Sequence, residues 1–394
     1  MGNRTALWSA PLAVLVLLAS CTSPRQQQSS LPECRVGLVM PTTGEMAPYG
    51  AEGVIAGRLA LQDARRAATH CAPALIEQDS ASQPDEANAA AATLLRPPKP
   101  VQAIVGEINS ADTASMVSQA RLGDIPIIAP TASAISLTSM SDRVFRTWPS
   151  DAYEVRKMKE YVLSLGIRRV GVLFIKLPYG EEMASVFKKD FGASGGEAVL
   201  EGYPKTTLDF RPLLQRMRGF TDIYLISYVE DAALLLKQAH EIEAQTHHRF
   251  RFFGTSVLDT SRLVDKAGVA AEGLTFAVVQ PGQDGVTGKR ATFEAAYRVA
   301  REAASSDAAL RAAAKEPTFA GYHVYDAVSL AFYALDDVAR HTVPTGATLV
   351  QYLRAMPPYS GLTGEIKFDP KGDLAAERTV VLKRIEKGKI VLLR

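Results

Sequence analysis

From Cys34 onward, short apolar runs alternate with amphipathic stretches of helical period, joined by loops of small residues. That alternation narrows the fold more than any other feature of the chain. Val36-Gly37-Leu38-Val39-Met40 is followed by a turn-rich loop, Pro41 to Gly50, and then by Ala51–Ala68. Ile55 and Leu59 there fall at i,i+4, and Val54 and Leu61 at i,i+7, as on a helix face. Strand Ala74–Glu77, helix Asp85–Leu95, strand Ala103–Val105, helix Ala111–Gly123 and strand Pro126–Ala129 repeat the cycle. A continuous run such as Ile125-Pro126-Ile127-Ile128-Ala129 predicts a strand buried on both faces. The fold class is therefore α/β, with parallel sheets flanked by helices.

The cycle restarts after Trp148-Pro149. Helices over Asp151–Leu165, Glu181–Phe191, Phe210–Arg218 and Glu230–Ala244 alternate with strands at Val170–Ile175, Ala198–Glu201, Ile223–Ile226 and Phe250–Phe253. Near Phe276–Pro281 the chain leaves this second unit for two helices, Lys289–Ala304 and Phe319–Ala339. A β-rich end follows at Gly361–Phe368, Thr379–Ile385 and Ile390–Leu393. Two lobes are expected. Residues 34–147 begin the first and 279–358 complete it; 148–278 begin the second and 359–394 complete it. A cleft between such lobes is a usual ligand site.

The first 20 residues read as a signal peptide. Arg4 is their only charge, and Leu12 to Ala19 is apolar throughout. That run is too short to span a bilayer but suits a secretory signal. It ends in Leu18-Ala19-Ser20-Cys21, which resembles a bacterial lipobox and implies lipidation of Cys21. Residues 21–33, including the polar Thr22 to Ser30, read as a tether. The expected location is the periplasm, or the extracytoplasmic face of a membrane, held there by the lipid. Cys34 and Cys71 then remain as an even pair in an oxidising compartment. Each immediately precedes a predicted strand. If the strands are parallel neighbours, the two cysteines meet at one sheet edge as a disulfide.

Lys and Arg number 44 against 42 Asp and Glu, so the chain has no global field for nucleic acid. The densest basic runs are pairs such as Arg65-Arg66 and Lys188-Lys189. Phosphate-cradling glycine loops and H-E-x-x-H are lacking, and His247-His248 has no metal-ligand spacing. Gly192-Ala193-Ser194-Gly195-Gly196 spells a nucleophile elbow. However, a helix precedes it and a strand follows, the reverse of the order an elbow needs. The expectation is a non-enzyme without metal or cofactor.

What remains is a set of loops at the carboxyl ends of strands, rich in hydroxyls, amides and tyrosine. They carry Thr42, Thr43 and Tyr49, then Asn109 and Ser110, then Thr131, Ala132 and Ser133, then Tyr179, and Ser227 with Tyr228. Any one serine or threonine is best read as a helix cap. Across two lobes the joint pattern fits a cleft, with hydroxyls and helix-start N–H groups for a carboxylate and rings for an apolar body.

These stretches also carry a resemblance. Val36-Gly-Leu-Val-Met-Pro-Thr-Thr-Gly-Glu-Met-Ala-Pro-Tyr-Gly-Ala-Glu-Gly, Ile104-Val-Gly, Ile127-Ile-Ala-Pro-Thr-Ala-Ser, Pro178-Tyr-Gly-Glu and Gly364-Glu-Ile-Lys-Phe-Asp-Pro-Lys-Gly-Asp stand in a telling order. Over Cys34 to Asp373 the chain resembles the leucine/isoleucine/valine-binding type of ABC-importer solute receptors. The resemblance implies two Rossmann-like lobes hinged by three crossovers, the periplasmic binding protein type I fold. It implies a monomer that captures an amino acid or related small carboxylate or amide and serves an ABC permease. Tyr49 is then an aromatic lining the cleft, and Asn109 and Ser110 hold the ligand's carboxylate. Ala132 and Ser133 meet its ammonium, and Tyr179 and Tyr228 close over it. One position departs: Ser256 stands where amino-acid binders carry an acid. Either Asp259 or another acid such as Glu107 substitutes, or the ligand has no α-ammonium. The rival expectation is an envelope lipoprotein that uses the same fold to dock a protein partner.

Overall fold

The computed structural model describes residues 1–2, 31–246, 248–279, 287–375 and 380–393. It separates into two compact units, Met1–Leu31 and Pro32–Arg394. The fold concerns the second unit. Cys21, and the signal peptide and tether from Asn3 to Ser30, lie outside the described residues.

The first lobe is laid down as β1 (Glu33–Met40), α1 (Ala47–Ala67), β2 (Ala72–Asp79), α2 (Pro84–Leu94), β3 (Ala103–Val105), α3 (Ser110–Ser115), α4 (Val117–Gly123), β4 (Ile127–Ala129) and β5 (Val144–Arg146). Its five strands are parallel in the order β2-β1-β3-β4-β5. The second lobe follows as α5 (Asp151–Ser164), β6 (Arg169–Ile175), α6 (Pro178–Ala193), β7 (Glu197–Tyr203), α7 (Arg211–Arg216), β8 (Asp222–Ile226), α8 (Val229–Gln245), β9 (Arg251–Gly254), α9 (Ser261–Ala267) and β10 (Thr275–Val279). The chain then gives α10 (Thr287–Ala303), α11 (Phe319–Ala339) and α12 (Gly346–Ala355), which cover the first lobe, with α11 packed along α1. The hairpin β11 (Tyr359–Gly361) and β12 (Gly364–Ile366) precedes β13 (Val380–Glu386) and β14 (Lys389–Leu392). β13 pairs antiparallel with β10 and extends the second sheet to β14-β13-β10-β9-β8-β6-β7.

One boundary needs correcting. Residues 359–394 were expected to complete the second lobe as a block. Instead Leu362, Ile366, Phe368 and Leu374 are buried in the first lobe's core, and only β13 and β14 join the second sheet. The reason is local. The buried Asp326 carboxylate on α11 accepts the N–H groups of Leu362 (2.6 Å) and Thr363 (2.8 Å) and the Thr363 hydroxyl (2.7 Å). A hydrophobic pattern alone cannot reveal which core a short hairpin joins.

Both lobes open their cleft-facing helix with the same tripeptide. Pro48-Tyr49-Gly50 starts α1 and Pro178-Tyr179-Gly180 starts α6. Proline suits the first turn because no intrahelical partner is lost there. The glycines permit close approach: a Cβ on Gly50 would lie 2.0 Å from the Pro41 carbonyl oxygen, and one on Gly180 2.1 Å from that of Ile175. Each helix therefore presses onto the end of the preceding strand and holds its tyrosine at the carboxyl edge of a sheet. Ser194, the centre of the elbow-like motif, is the C-cap of α6.

Cys34 and Cys71 are joined by a disulfide, with Cα atoms 5.7 Å apart. The β1–β2 register places Glu33 opposite Ala72, so both cysteines lie at one end of the strand pair. The bridge closes a loop of 37 residues. On chain-entropy grounds, Cys34→Ala with Cys71→Ala should lower unfolding free energy by about 3–4 kcal/mol. Urea melts of the two proteins check this, and equal midpoints would contradict it.

Candidate functional site

The carboxyl ends of the strands in both sheets face one cleft. A cavity of about 100 Å³ there is lined by Tyr49, Asn109, Ser110, Ser133, Tyr179, Tyr228 and Ser256, together with Glu45, Met46, Ile108, Thr131, Trp148, Val229, Glu230, Val257, Arg262 and Phe319. Eight positions singled out in the sequence, Thr131 among them, thus meet around one space. Ala132 does not; it is buried with its side chain in the first lobe's core. Its neighbours Thr131 and Ser133 line the cavity instead, because consecutive residues of extended chain point opposite ways.

The polar floor comes from the first lobe. Asn109 caps α3: its side chain accepts the Asp112 N–H (2.9 Å) and donates to the Asp112 carboxylate (2.8 Å). Its amide is thus committed to the cap. Ser110 Oγ accepts the N–H groups of Ser133 (3.2 Å) and Ala134 (3.0 Å), which ties two cleft loops together. With both acceptor positions used, its hydroxyl proton is available to donate. Thr131 donates to the Ile108 carbonyl (2.7 Å). Arg146, fully buried, donates to the carbonyls of Ser133 (2.9 Å) and Ala134 (2.6 Å) and pairs with Asp373.

The walls are aromatic. Tyr179 and Tyr228 stack with centroids 5.7 Å apart and planes 12° off parallel. The Tyr179 hydroxyl is bonded to Thr255 Oγ1 at 2.7 Å. Burial pushes both phenols above their ordinary range, so they stay neutral. Opposite, Phe319 lies 5.3 Å from Tyr49 and 5.7 Å from Trp148 between ring centroids. Phe319 is held by Glu52, whose buried carboxylate accepts the N–H groups of Thr318 (2.5 Å) and Gly321 (2.7 Å). Burial lifts Glu52 to about 7. Sequence reading missed Trp148 and Phe319, taking the first as a lobe boundary and the second as a helix start. A signal did exist, since Trp148 is one of only two tryptophans in the chain.

Tyr49, Trp148, Ser256, Val257 and Phe319 also border an adjoining chamber of about 390 Å³, lined further by Asp259, Arg290, His323 and Lys383 among others. Asp259 is paired there with Lys383 at 2.6 Å. Glu107 is fully buried, accepts the Ile108 N–H (2.7 Å) and bonds Ser80. Neither acid lines the inner cavity; Asp259 lines the adjoining chamber that Ser256 also borders. The Ser256 N–H instead donates to buried Glu154 (3.0 Å). The charges that do reach the cavity are Glu45, paired with Lys205 at 2.7 Å, and Glu230, paired with Arg262 at 2.6 Å. Among the described residues no group of three or more His, Cys, Asp and Glu could hold a metal ion.

The profile of the family described as periplasmic binding protein matches residues 33–389. The chain belongs to that family. As a periplasmic binding protein it shares its fold with a leucine-binding protein from Thermotoga maritima, at 22% identity, 91% of this chain, 97% of that one and a TM-score of 0.76. A branched-chain amino acid transporter substrate-binding protein from Streptococcus pneumoniae, in complex with isoleucine, gives 22%, 92%, 99% and 0.73. A solute-binding protein of an ABC transporter from Rhodopseudomonas palustris, in complex with 3,4-dihydroxybenzoic acid, gives 23%, 91%, 96% and 0.74. At such identities the likeness is one of fold. No curated protein matches the chain. Among the described residues no helix of this binding protein is long and apolar enough to cross a membrane.

The lobes meet across the cleft through Ser136, whose N–H and hydroxyl bond Glu182, and through Glu45 with Lys205. Glu45 and Lys205 are each 45% exposed, so that pair is worth about 0–1 kcal/mol. The double variant Glu182→Ala with Lys205→Ala should therefore stay folded but populate more open lobes. Small-angle scattering should show a larger radius of gyration without ligand, and an unchanged radius would contradict the latch.

Proposed function

We propose that this chain is the extracytoplasmic solute receptor of an ABC importer, a monomer without enzymatic activity, lipid-anchored through Cys21. It captures a small carboxylate-bearing solute between its lobes and presents it to a permease. The observation that carries the reading is the convergence of hydroxyls and rings from both lobes on one cavity at the cleft. Ser110 supplies a donor to a carboxylate from the first lobe. Tyr179 and Tyr228 cover the ligand's body from the second, and Tyr49, Trp148 and Phe319 from the first. Isoleucine and 3,4-dihydroxybenzoic acid, found in proteins of like fold, are both small carboxylates. Capture proceeds by closure: a ligand that touches both lobes binds the closed form better and shifts the population toward it.

A thermal-shift panel of amino acids, their des-amino acids, amides and aromatic acids tests the reading. A compound at 100 times its Kd should add about 2.7 kcal/mol of stability. Ser110→Ala and Tyr179→Ala should each weaken the hit about tenfold or more, some 1.4 kcal/mol or above. A full panel without a shift would overturn the solute-receptor reading and leave the protein-docking lipoprotein in its place. The anchor is checked separately: Cys21→Ala should move the protein from the membrane fraction to the soluble one.

A further inference from the structure

A cavity of about 540 Å³ opens at the amino ends of β9 and β10, at the far end of the second sheet from the cleft. It shares no described lining residue with the inner cavity or the adjoining chamber. Strand pairing explains the opening. β10 pairs with β9 only through Thr275 opposite Phe253 and Phe276 opposite Gly254. The residues leading into β10 follow β13 instead: the Gly273 N–H donates to the Ile385 carbonyl (2.9 Å), and the Ile385 N–H to that of Leu274 (3.0 Å). Arg251 and Phe252 keep their register with β8, so a seam is left between β9 and β10. Phe252 and Phe253 both border it. Successive strand residues point to opposite faces, so the cavity reaches both faces of the sheet.

Its walls are largely apolar. Leu236, Ala239, Phe252 and Leu274 are buried, and Phe250 is half-buried. At the rim Leu165 and Val269 are 42% and 72% exposed, so the apolar lining continues out to solvent. Most of the charged side chains that reach the cavity are engaged elsewhere. Glu243 accepts the Phe250 N–H (2.6 Å) and faces Arg249 and His240. Glu272 accepts the N–H groups of Lys387 (2.9 Å) and Gly388 (2.6 Å), and Arg251 is paired with Asp222. Arg384 differs. Its Nε donates to Thr275 Oγ1 (3.0 Å) and its Nη2 to the Tyr161 hydroxyl (2.9 Å), both neutral groups. The carboxylate beside it, Glu386, stands 3.8 Å away and is 52% exposed. Two hydroxyls thus fix the plane of the guanidinium without neutralising it. Nη1 and one Nη2 hydrogen remain for an acceptor, and a carboxylate can meet that edge with both oxygens.

We propose that this cavity is a second binding site, apart from the cleft, for a small carboxylate with an aromatic or branched apolar body: Arg384 takes the carboxylate, and the seam between β9 and β10 takes the body. The inference goes beyond the solute-receptor reading and does not depend on it. The volume falls within the range of small-molecule sites, which are mostly apolar with a few placed polar groups. Protein interiors are close-packed, so apolar walls facing an open space forgo contacts that an apolar body restores. The charges select the sign of the ligand. An ammonium would face Arg384, with Glu243 and Glu272 already turned to backbone N–H groups.

Isothermal titration of the full chain tests this with benzoate and 3-phenylpropanoate, each against its neutral amide. Each acid should occupy a site that Arg384→Gln weakens at least about tenfold, and the matching amide should bind there at least about tenfold more weakly. Binding at this site should survive Ser110→Ala, which acts on the cleft. Arg384→Gln also removes the bonds to Thr275 and Tyr161, so Ala239→Leu serves as a second variant. It narrows the cavity with Arg384 in place and should weaken the same site at least about tenfold, and thermal melts establish that each variant is folded. Acids that fail to bind, or whose binding is unmoved by Arg384→Gln and Ala239→Leu, would overturn the second site and leave the receptor reading intact. Amides that bind as tightly as the acids would overturn the part given to Arg384. Binding that depends on Arg384 and Ala239 but never on Ser110 would support the second site while counting against the receptor reading.

Discussion

The cleft depends on one buried arginine. Arg146 ends the last strand of the first sheet, just before the chain crosses to the second lobe. Its partner Asp373 lies just before the final crossing toward β13. A buried guanidinium is expensive unless it is paired, and here Nε is spent on Asp373 and Nη1 on the carbonyls of Ser133 and Ala134. One side chain thus fixes two hinge segments and the loop that carries Ser133. The same loop gives its N–H groups to Ser110, so the polar floor is a single connected network rather than a set of independent side chains.

Opposite that floor, the rings are placed by backbone geometry. The Pro-Tyr-Gly start is used once in each lobe, and in each the glycine lets the helix approach a strand-end carbonyl closely. The two tyrosines are therefore positioned by equivalent devices on opposite sides of the cleft. Tyr179 is locked further by Thr255 and stacked on Tyr228, whereas Tyr49 leans on Phe319, which Glu52 holds through the start of α11. The second-lobe wall is built from segments close in that lobe, while the first-lobe wall needs a helix that arrives 270 residues after Tyr49.

That difference explains what could be read in the sequence. Strands such as Ile127–Ala129 and helices such as Phe319–Ala339 follow from period and burial, and these are local properties. Loops at the carboxyl ends of parallel strands must face one edge, so Ser110, Ser133, Tyr179 and Tyr228 could be singled out without coordinates. Phe319 could not, because its place depends on long-range packing, and the rarity of Trp148 was the one hint of its role. The hairpin at Tyr359–Ile366 was assigned to the wrong lobe for the same reason, since Asp326 decides its core. The acid near Ser256 was sought within the neighbouring loop or the first lobe. The acid that accepts the Ser256 N–H is Glu154 on α5, 102 positions earlier, and only the fold brings the two together.

Across the cleft the lobes are held together lightly. The Glu45–Lys205 pair is half-exposed and screened, and Ser136 with Glu182 adds a small polar contact. Contacts of that size cannot hold the lobes shut alone. Moving a two-state equilibrium from 1:99 to 99:1 takes about 5.5 kcal/mol of differential binding. Covering a small apolar body between facing rings, and pairing its polar groups with a preformed floor, can supply energy on that order. The floor is rigid because Arg146 fixes it, so little of that energy is lost in ordering the site. In the receptor proposed above, the weak latch and the rigid floor would act together: the ligand, rather than the protein's own contacts, would decide which conformation prevails.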